Sequence, residues 1–269
     1  MRHRAQQRRL PPTLLPHALG IVVLAVVVFL QSPGLTAADT KHDLAVDPAG
    51  FLVGALHAWT DIFPLGQLQN QAYGYLFPHG AFFVLTDLLP DWVAQRLWWT
   101  LVLGVGYSGF LLLLTRLQVG TTGFRVLAAL LFALSPRSLT TLTAISSETW
   151  PVMLAPWVLV PLFGRLGWRA VAAAVLPVAL MGAVNATATL AACVPAGLVL
   201  LWRLLRRDRW AGRALGAWLA GCLAVSLWWI GPLLILGRFS APFTDYIESS
   251  FVTTRWLNLI EILRGTTSW

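Results

Sequence analysis

Long runs of apolar residues, separated by short polar intervals, dominate the chain. A helix that rises 1.5 Å per residue needs about 20 apolar residues to cross about 30 Å of hydrocarbon. Seven runs approach that length, and these predicted spans cover residues 14–31, 97–115, 124–142, 151–164, 170–185, 187–204 and 214–236. Prolines interrupt the middle runs, which packed membrane helices tolerate. The pattern predicts an all-α membrane protein, a polytopic bundle of about seven transmembrane helices.

Composition and charge agree with this pattern. With 57% hydrophobic residues, 11% charged residues and a mean hydropathy of +0.71, the chain is not a soluble domain. The proposed inner side carries 13 of the 19 basic residues and one of the 11 acidic residues, so its charge is +12 against −4 outside. This positive-inside bias predicts a multi-pass plasma-membrane protein with a cytoplasmic N-terminus. Alternatively, residues 1–38 are a cleaved signal peptide.

Residues 32–96 form the longest polar interval, which the charge bias places on the outer side. An interval of this length is more than a simple connector. Apolar stretches at 51–53 and 82–85 predict two short amphipathic helices lying at the membrane interface. The alternative is that these helices only seal the top of the bundle.

Two segments of this outer loop carry candidate chemistry. Residues 39–43 bring Asp39, Lys41 and Asp43 to the membrane surface, where a partly desolvated carboxylate could take a proton from a sugar hydroxyl. A solvated loop is the alternative reading. Residues 67–80 interleave amides with aromatic rings, a combination that suits the hydroxyls and apolar patches of a sugar. The candidate sugar-binding residues are Gln69, Asn70, Gln71, Tyr73, Tyr75 and His79, and an interfacial aromatic belt is the alternative.

Cationic residues suggest two further roles. Lys41, Arg137 and Arg255 could bind the phosphate of a lipid carrier, although arginines near a membrane also snorkel. The basic cluster from Arg203 to Arg213 predicts contact with anionic membrane lipids or, as a bolder hypothesis, an acidic cytoplasmic protein. No acidic residue lies in the middle of a predicted span, which disfavours an ion-coupled transporter. Nucleic acid is not an expected partner.

An ordered set of motifs points to a known family. The set includes DTKHDL, GQLQNQAYGYLFPHG, QRLWW, FALSPR, ISSET, MLAPWVL and FTDYIESSFVTTRW. In this order and at this spacing, the chain closely resembles the N-terminal membrane region of actinobacterial α-(1→3)-arabinofuranosyltransferases of the AftD type, which belong to the GT-C superfamily. The resemblance runs from about residue 30 to residue 269.

The resemblance implies a fold and a reaction. It implies a GT-C-like helical bundle that transfers arabinofuranose, with inversion, from a decaprenyl-phosphate donor to the arabinan of arabinogalactan or lipoarabinomannan on the outer face. It makes Asp39 the first candidate for the catalytic base, Asp43 the second, and Glu248 a further acidic site residue. It implies no catalytic metal and no cofactor, because the lipid-linked sugar is a substrate.

The resemblance also bears on length. Enzymes of this type are several times longer, so we expect a fragment holding one partial GT-C domain, with a basic tail at 1–13, the outer loop at 32–96 and the start of a further outer segment at 237–269. We do not expect full activity from this piece alone. The alternatives are a different GT-C enzyme that uses a lipid-linked donor, such as a mannosyltransferase, and a non-catalytic membrane scaffold.

Overall fold

The computed structural model describes residues 14–39, 41–57, 59–60, 66–68, 72–239 and 257–264. These residues are almost entirely helical. The α-helices, in chain order, are α1 Leu14–Phe29, α2 Asp43–Val46, α3 Pro48–Ala55, α4 Ala81–Thr86, α5 Asp91–Leu117, α6 Thr122–Ala133, α7 Pro136–Ala144, α8 Ser146–Leu159, α9 Trp168–Ala179, α10 Ala186–Leu205, α11 Ala211–Phe239 and α12 Leu259–Arg264. The predicted all-helical class is confirmed.

The other regular elements are short. Two-residue strands, β1 Trp59–Thr60 and β2 Gln67–Leu68, pair antiparallel within the outer loop. A 3₁₀ turn at Ala72–Tyr75 and a π turn at Leu76–Gly80 lead into α4, and a second 3₁₀ turn at Val160–Phe163 extends α8. The hairpin and the π turn were not predicted from the sequence.

All seven predicted spans fall on helices, but the helices differ in length. Among the described residues, α5, α10 and α11 are long and apolar enough to cross a membrane. The pair α6 and α7 adds a fourth candidate, bent by 41° at the break between them. Helices α1 and α9 are apolar but shorter. The count of seven spans therefore stays a prediction.

The break between α6 and α7 follows from the local sequence. Pro136 has no backbone N–H to donate into a continuing helix, and it takes the first position of a new one, where that donor is not needed. The hydroxyl of Ser135 accepts a hydrogen bond from the Ser138 backbone N–H at 3.3 Å, which caps α7.

Helix α5 extends into the interval that the sequence assigned to the outer loop. Helix α5 begins at Asp91 rather than near residue 97, so Gln95 and Arg96 lie in its second turn, and both are buried. The two predicted loop helices are present as α3 and α4. The Asp47 carboxylate caps α3 by accepting the Gly50 N–H at 2.9 Å.

Helix α5 is the centre of the bundle, packing against α1, α6 and α8, while α8 packs against α9 and α10. Side chains of α5 fill the core, among them Trp98, Leu103 and Tyr107. The Tyr107 hydroxyl donates to the Pro16 carbonyl at 2.7 Å and so ties α5 to the first turn of α1. Trp157 of α8 donates its indole N–H to the Val105 carbonyl at 2.9 Å.

Arg203 belongs to the fold rather than to a free basic surface. Its guanidinium donates to the Asp208 carboxylate at 2.5 and 3.0 Å, and to the carbonyls of Leu162 and Gly164 at 2.7 and 2.6 Å. The backbone N–H of Trp210, together with Arg203, lowers the pKa of the Asp208 carboxyl. The exposed arginines of the predicted basic cluster are Arg206, Arg207, Arg209 and Arg213.

Close contact between α1 and α5 yields a stability prediction. A β-carbon added at Gly20 would lie 2.1 Å from the ring of Tyr107, which is fully buried and held by Pro16. We expect Gly20→Ala to destabilise the protein by about 1–3 kcal/mol because the core has no room for the methyl group. The measurement is the apparent melting temperature in detergent. The control is Gly123→Ala in α6, whose methyl group meets nothing within 4 Å. Equal melting temperatures for both variants would contradict this packing.

Candidate functional site

A pocket opens at the end of the bundle where α1 ends and where α5 and α8 begin. Its enclosed cavity is small, about 10 Å³, which is room for about one water molecule, and the rest of it is open to the exterior. Its walls come from the segment after α1, from α2, from the turns before α4 and α4 itself, from the second turn of α5, and from the first residue of α8. The lining residues are Asp39, Lys41, His42, Leu44, Ala45, Tyr75, His79, Phe83, Gln95 and Ser146. The fold therefore brings one carboxylate, one lysine and two imidazoles to one cavity.

Asp39 is half-buried and bound by the first residue of α8. Its carboxylate accepts the Ser146 backbone N–H at 3.2 Å and also a hydrogen bond from the Ser146 hydroxyl. The first N–H groups of a helix have no partner inside that helix, and the helix dipole favours negative charge at this end. These contacts fix the orientation of the carboxylate.

The Ser146 hydroxyl is itself oriented by an indole. Trp98 of α5 donates its N–H to the Ser146 oxygen at 3.2 Å, and both residues are buried. Because the oxygen accepts from Trp98, its hydrogen is free to point at Asp39. The result is a directed chain of donors from Trp98 through Ser146 to the carboxylate.

His79 lines the same pocket and is buried. Only 2% of the residue is exposed, and its ring packs against Trp98 and Tyr75 at centroid distances of 4.8 and 5.6 Å. Neither ring nitrogen has a hydrogen-bond partner among the described residues. Burial lowers the pKa of His79 to about 3, so the imidazole is neutral. A ligand hydroxyl or a water molecule would satisfy these nitrogens, whose unpaired burial costs about 1–3 kcal/mol.

The turn that carries His79 is held by the connection between α9 and α10. The Ala183 N–H donates to the Gly74 carbonyl at 3.4 Å. Gly182 has a φ of +77°, and a β-carbon there would lie 3.1 Å from the Phe77 carbonyl oxygen. Glycine is therefore required where this connection passes close to the turn.

Of the other predicted site residues, some line the pocket, some lie away from it, and some lie outside the described residues. Lys41 lines the pocket and is half-buried, whereas Asp43 is exposed at the start of α2, outside the lining set. Arg137 is exposed in the first turn of α7 and is also outside that set. Gln69, Asn70, Gln71, Glu248 and Arg255 lie outside the described residues.

The two tyrosines also differ. Tyr75 is buried, packs edge-to-face on Phe51, and shares a hydrogen bond of 3.4 Å with the Ser147 hydroxyl. Tyr73 is half-buried, and that burial raises the pKa of its phenol. Tyr75 therefore forms part of the core as well as part of the pocket wall.

Sequence reasoning underestimated three residues that shape the site. In the sequence Ser146 stands only as one residue of the ISSET motif, and no local pattern connects Trp98 or Gln95 with Asp39. The local sequence carries little signal for these roles, because glutamine, arginine and tryptophan at the end of an apolar span are also typical of a membrane interface. Within the described ranges, no cluster of three or more His, Cys, Asp or Glu side chains could hold a metal ion.

The buried neutral His79 predicts a pH dependence of stability. The unfolded chain takes up a proton near pH 6.5, whereas native His79 does so only near pH 3. Stability should therefore fall as the pH drops below 6.5, by up to about 1.4 kcal/mol per pH unit from this group. His79→Gln should reduce the change in melting temperature between about pH 7 and pH 5. The control is His57→Gln at an exposed histidine of the same loop, and an unchanged slope in His79→Gln would contradict the assignment.

Comparisons with known proteins place this site in a family. A family described as alpha-(1->3)-arabinofuranosyltransferase, N-terminal GT-C domain, matches residues 23–269. Two proteins named alpha-(1->3)-arabinofuranosyltransferase, from Mycolicibacterium smegmatis and Mycobacterium tuberculosis, are 54% identical to this chain over 91% and 93% of its length. The chain spans 18% of the length of each.

Solved structures agree with the sequence matches. The cryo-EM structure of arabinofuranosyltransferase AftD from mycobacteria superimposes with a TM-score of 0.84 at 49% identity, over 94% of this chain and 19% of that one. A mutant of the same enzyme, R1389S, gives a TM-score of 0.80 at 48% identity, over 90% of this chain and 20% of the mutant. From its sequence and its fold, the chain belongs to the family of N-terminal GT-C domains of alpha-(1->3)-arabinofuranosyltransferases.

Proposed function

We propose that this chain is the N-terminal part of a membrane enzyme that transfers arabinofuranose from a decaprenyl-phosphate donor to cell-wall arabinan. Family membership supports the arabinofuranosyl group and the α-(1→3) linkage. The single observation that carries the proposal to particular residues is the carboxylate of Asp39, held by Ser146 at the edge of a pocket that also contains His79 and Lys41.

In the proposed reaction, Asp39 is the general base. The carboxylate takes the proton of the acceptor 3-hydroxyl as that oxygen attacks the anomeric carbon of the donor. The bond between the anomeric carbon and the phosphate oxygen breaks, and its electron pair leaves with the decaprenyl phosphate. Attack opposite the leaving group inverts the anomeric centre. A general base that the fold holds in position accelerates such a proton transfer by about 10²–10⁴-fold.

The leaving phosphate needs a cation, and the donor sugar needs polar contacts. Lys41 is the described cation that lines the pocket, and we assign it to the phosphate together with Arg137 and Arg255. Neutral His79 can both donate to and accept from sugar hydroxyls. With Tyr73, Tyr75 and the amides Gln69, Asn70 and Gln71, it would form the sugar-binding wall. Asp43 and Glu248 are the remaining candidate acids.

Topology completes the proposal. The charge bias along the chain supports a cytoplasmic N-terminus and a reaction on the outer face of the plasma membrane. The four exposed arginines near the end of α10 would then face the cytoplasm, where they would bind anionic lipids or an acidic protein.

The test is a transfer assay with the full-length protein in membranes. We expect Asp39→Asn to lower the transfer rate by about 10²–10⁴-fold without loss of membrane insertion, because the amide cannot accept the proton. The matched control is Asp87→Asn, an exposed aspartate of the same loop outside the pocket, which should keep the parental rate.

Three other outcomes separate the alternatives. Full activity of Asp39→Asn with an inactive Asp43→Asn variant would move the base to Asp43. Transfer from a polyprenyl-phosphate mannose donor, but not from the arabinofuranose donor, would indicate a mannosyltransferase. Unchanged cell-wall arabinan after replacement of both aspartates would indicate a scaffold.

A further inference from the structure

The segment between α1 and Asp39 has no regular secondary structure of its own and is bound instead to α5. The side-chain amide of Gln95 makes two hydrogen bonds to one residue of this segment. Its oxygen accepts the Ala37 N–H at 2.8 Å, and its nitrogen donates to the Ala37 carbonyl at 3.0 Å. The amide of Gln95 therefore pairs with both the N–H and the carbonyl of Ala37, as a neighbouring β-strand would, and Ala37 lies two positions before Asp39.

Arg96 holds the earlier part of the same segment. Its guanidinium donates to the Gln31 carbonyl at 3.1 and 3.3 Å and to the Leu35 carbonyl at 3.1 Å. It also donates to the Gln95 oxygen at 3.0 Å and stands 4.4 Å over the ring of Trp99. Only 2% of Arg96 is exposed. A buried cation is stable only when its donors are satisfied, and here backbone carbonyls and an amide satisfy them.

Among the described residues, the guanidinium of Arg96 is bound by backbone carbonyls and an amide rather than by a carboxylate. Among the described residues, the one ion pair within 4.0 Å joins Arg203 to Asp208, so the guanidinium of Arg96 binds no carboxylate there. Its fork instead bridges two carbonyls of the segment and the Gln95 oxygen. A lysine, with one nitrogen and no fork, could not reach the same set of acceptors.

We propose that Gln95 and Arg96 are positioning residues for transfer, because they fix the backbone that delivers Asp39 to Ser146. This inference rests on the proposed role of Asp39 as the base. Asp39 is then held from two sides, with its backbone tied to α5 through Ala37 and its carboxylate tied to α8 through Ser146. A displacement of about 1 Å at a reacting group can cost about 10²-fold in rate.

The first variant is Gln95→Met in the full-length protein, which keeps the side-chain length and removes both hydrogen bonds to Ala37. We expect kcat to fall by about 10- to 100-fold while the KM for decaprenyl-phosphate arabinofuranose changes by less than about 3-fold. The matched control is Thr100→Val on the same helix, where the hydroxyl donates only within the helix, to the Arg96 carbonyl at 2.8 Å. The control should keep both constants.

Two milder variants distinguish an effect on kcat from a loss of folded protein. Gln95→Glu still accepts from the Ala37 N–H and from Arg96 but cannot donate to the Ala37 carbonyl, so its kcat should lie between those of the parent and of Gln95→Met. Arg96→Lys keeps the charge and loses the fork, and it should also lower kcat more than it raises KM. A purely structural role would instead lower the melting temperature and leave kcat per folded molecule unchanged.

A double-mutant cycle tests whether Gln95 acts through Asp39. In an Asp39→Asn background, Gln95→Met should cause no further loss of rate, because the group it positions is already disabled. An additive loss would overturn the inference. If Asp39→Asn is inactive but Gln95→Met keeps the parental kcat, this inference fails and the proposed function stands. If Asp39→Asn itself keeps full activity, Asp39 is not the base, and both that assignment and this inference fail.

Discussion

The arrangement of this domain depends on a buried guanidinium that binds backbone carbonyls instead of a carboxylate. Arg96 and the neighbouring Gln95 lie in the second turn of α5, the helix around which the bundle packs. Together they satisfy the backbone polar groups of a segment that leaves α1 without regular structure. Without these partners the segment would bury unsatisfied groups or move into solvent. The pair therefore couples the central helix to the start of the outer loop.

The pocket follows from that coupling. The same helix supplies Trp98, which orients the Ser146 hydroxyl toward the Asp39 carboxylate. One face of α5 thus determines both where the aspartate backbone lies and which donor meets its side chain. His79 reaches the pocket from a different turn and remains neutral and unpaired within the described structure. The site combines a carboxylate oriented by Ser146 with an imidazole whose nitrogens have no hydrogen-bond partner among the described residues.

The sequence predicted the helical bundle, the two loop helices and the candidate segments containing Asp39 and His79, because apolar periodicity and local residue type determine those features. It did not predict the partners of Asp39, since Ser146 is 107 residues away and the contact exists only after α8 packs against α5. The sequence also placed Arg96 in the outer loop at 32–96. A buried cation that binds backbone carbonyls cannot be recognised from the pattern of apolar and polar residues. Where proline divides an apolar run, as between α6 and α7, the single predicted span consists of two helices bent by 41°.

The central claim concerns where the acceptor lies relative to Asp39. The most direct measurement is a cryo-EM structure of the full-length protein with a non-hydrolysable phosphonate analogue of the donor and an oligoarabinan acceptor. We expect the acceptor 3-hydroxyl to lie within about 3 Å of the Asp39 carboxylate, which still accepts a hydrogen bond from Ser146. An acceptor hydroxyl bound to a different carboxylate, with Asp39 and Ser146 paired as they are here, would contradict it.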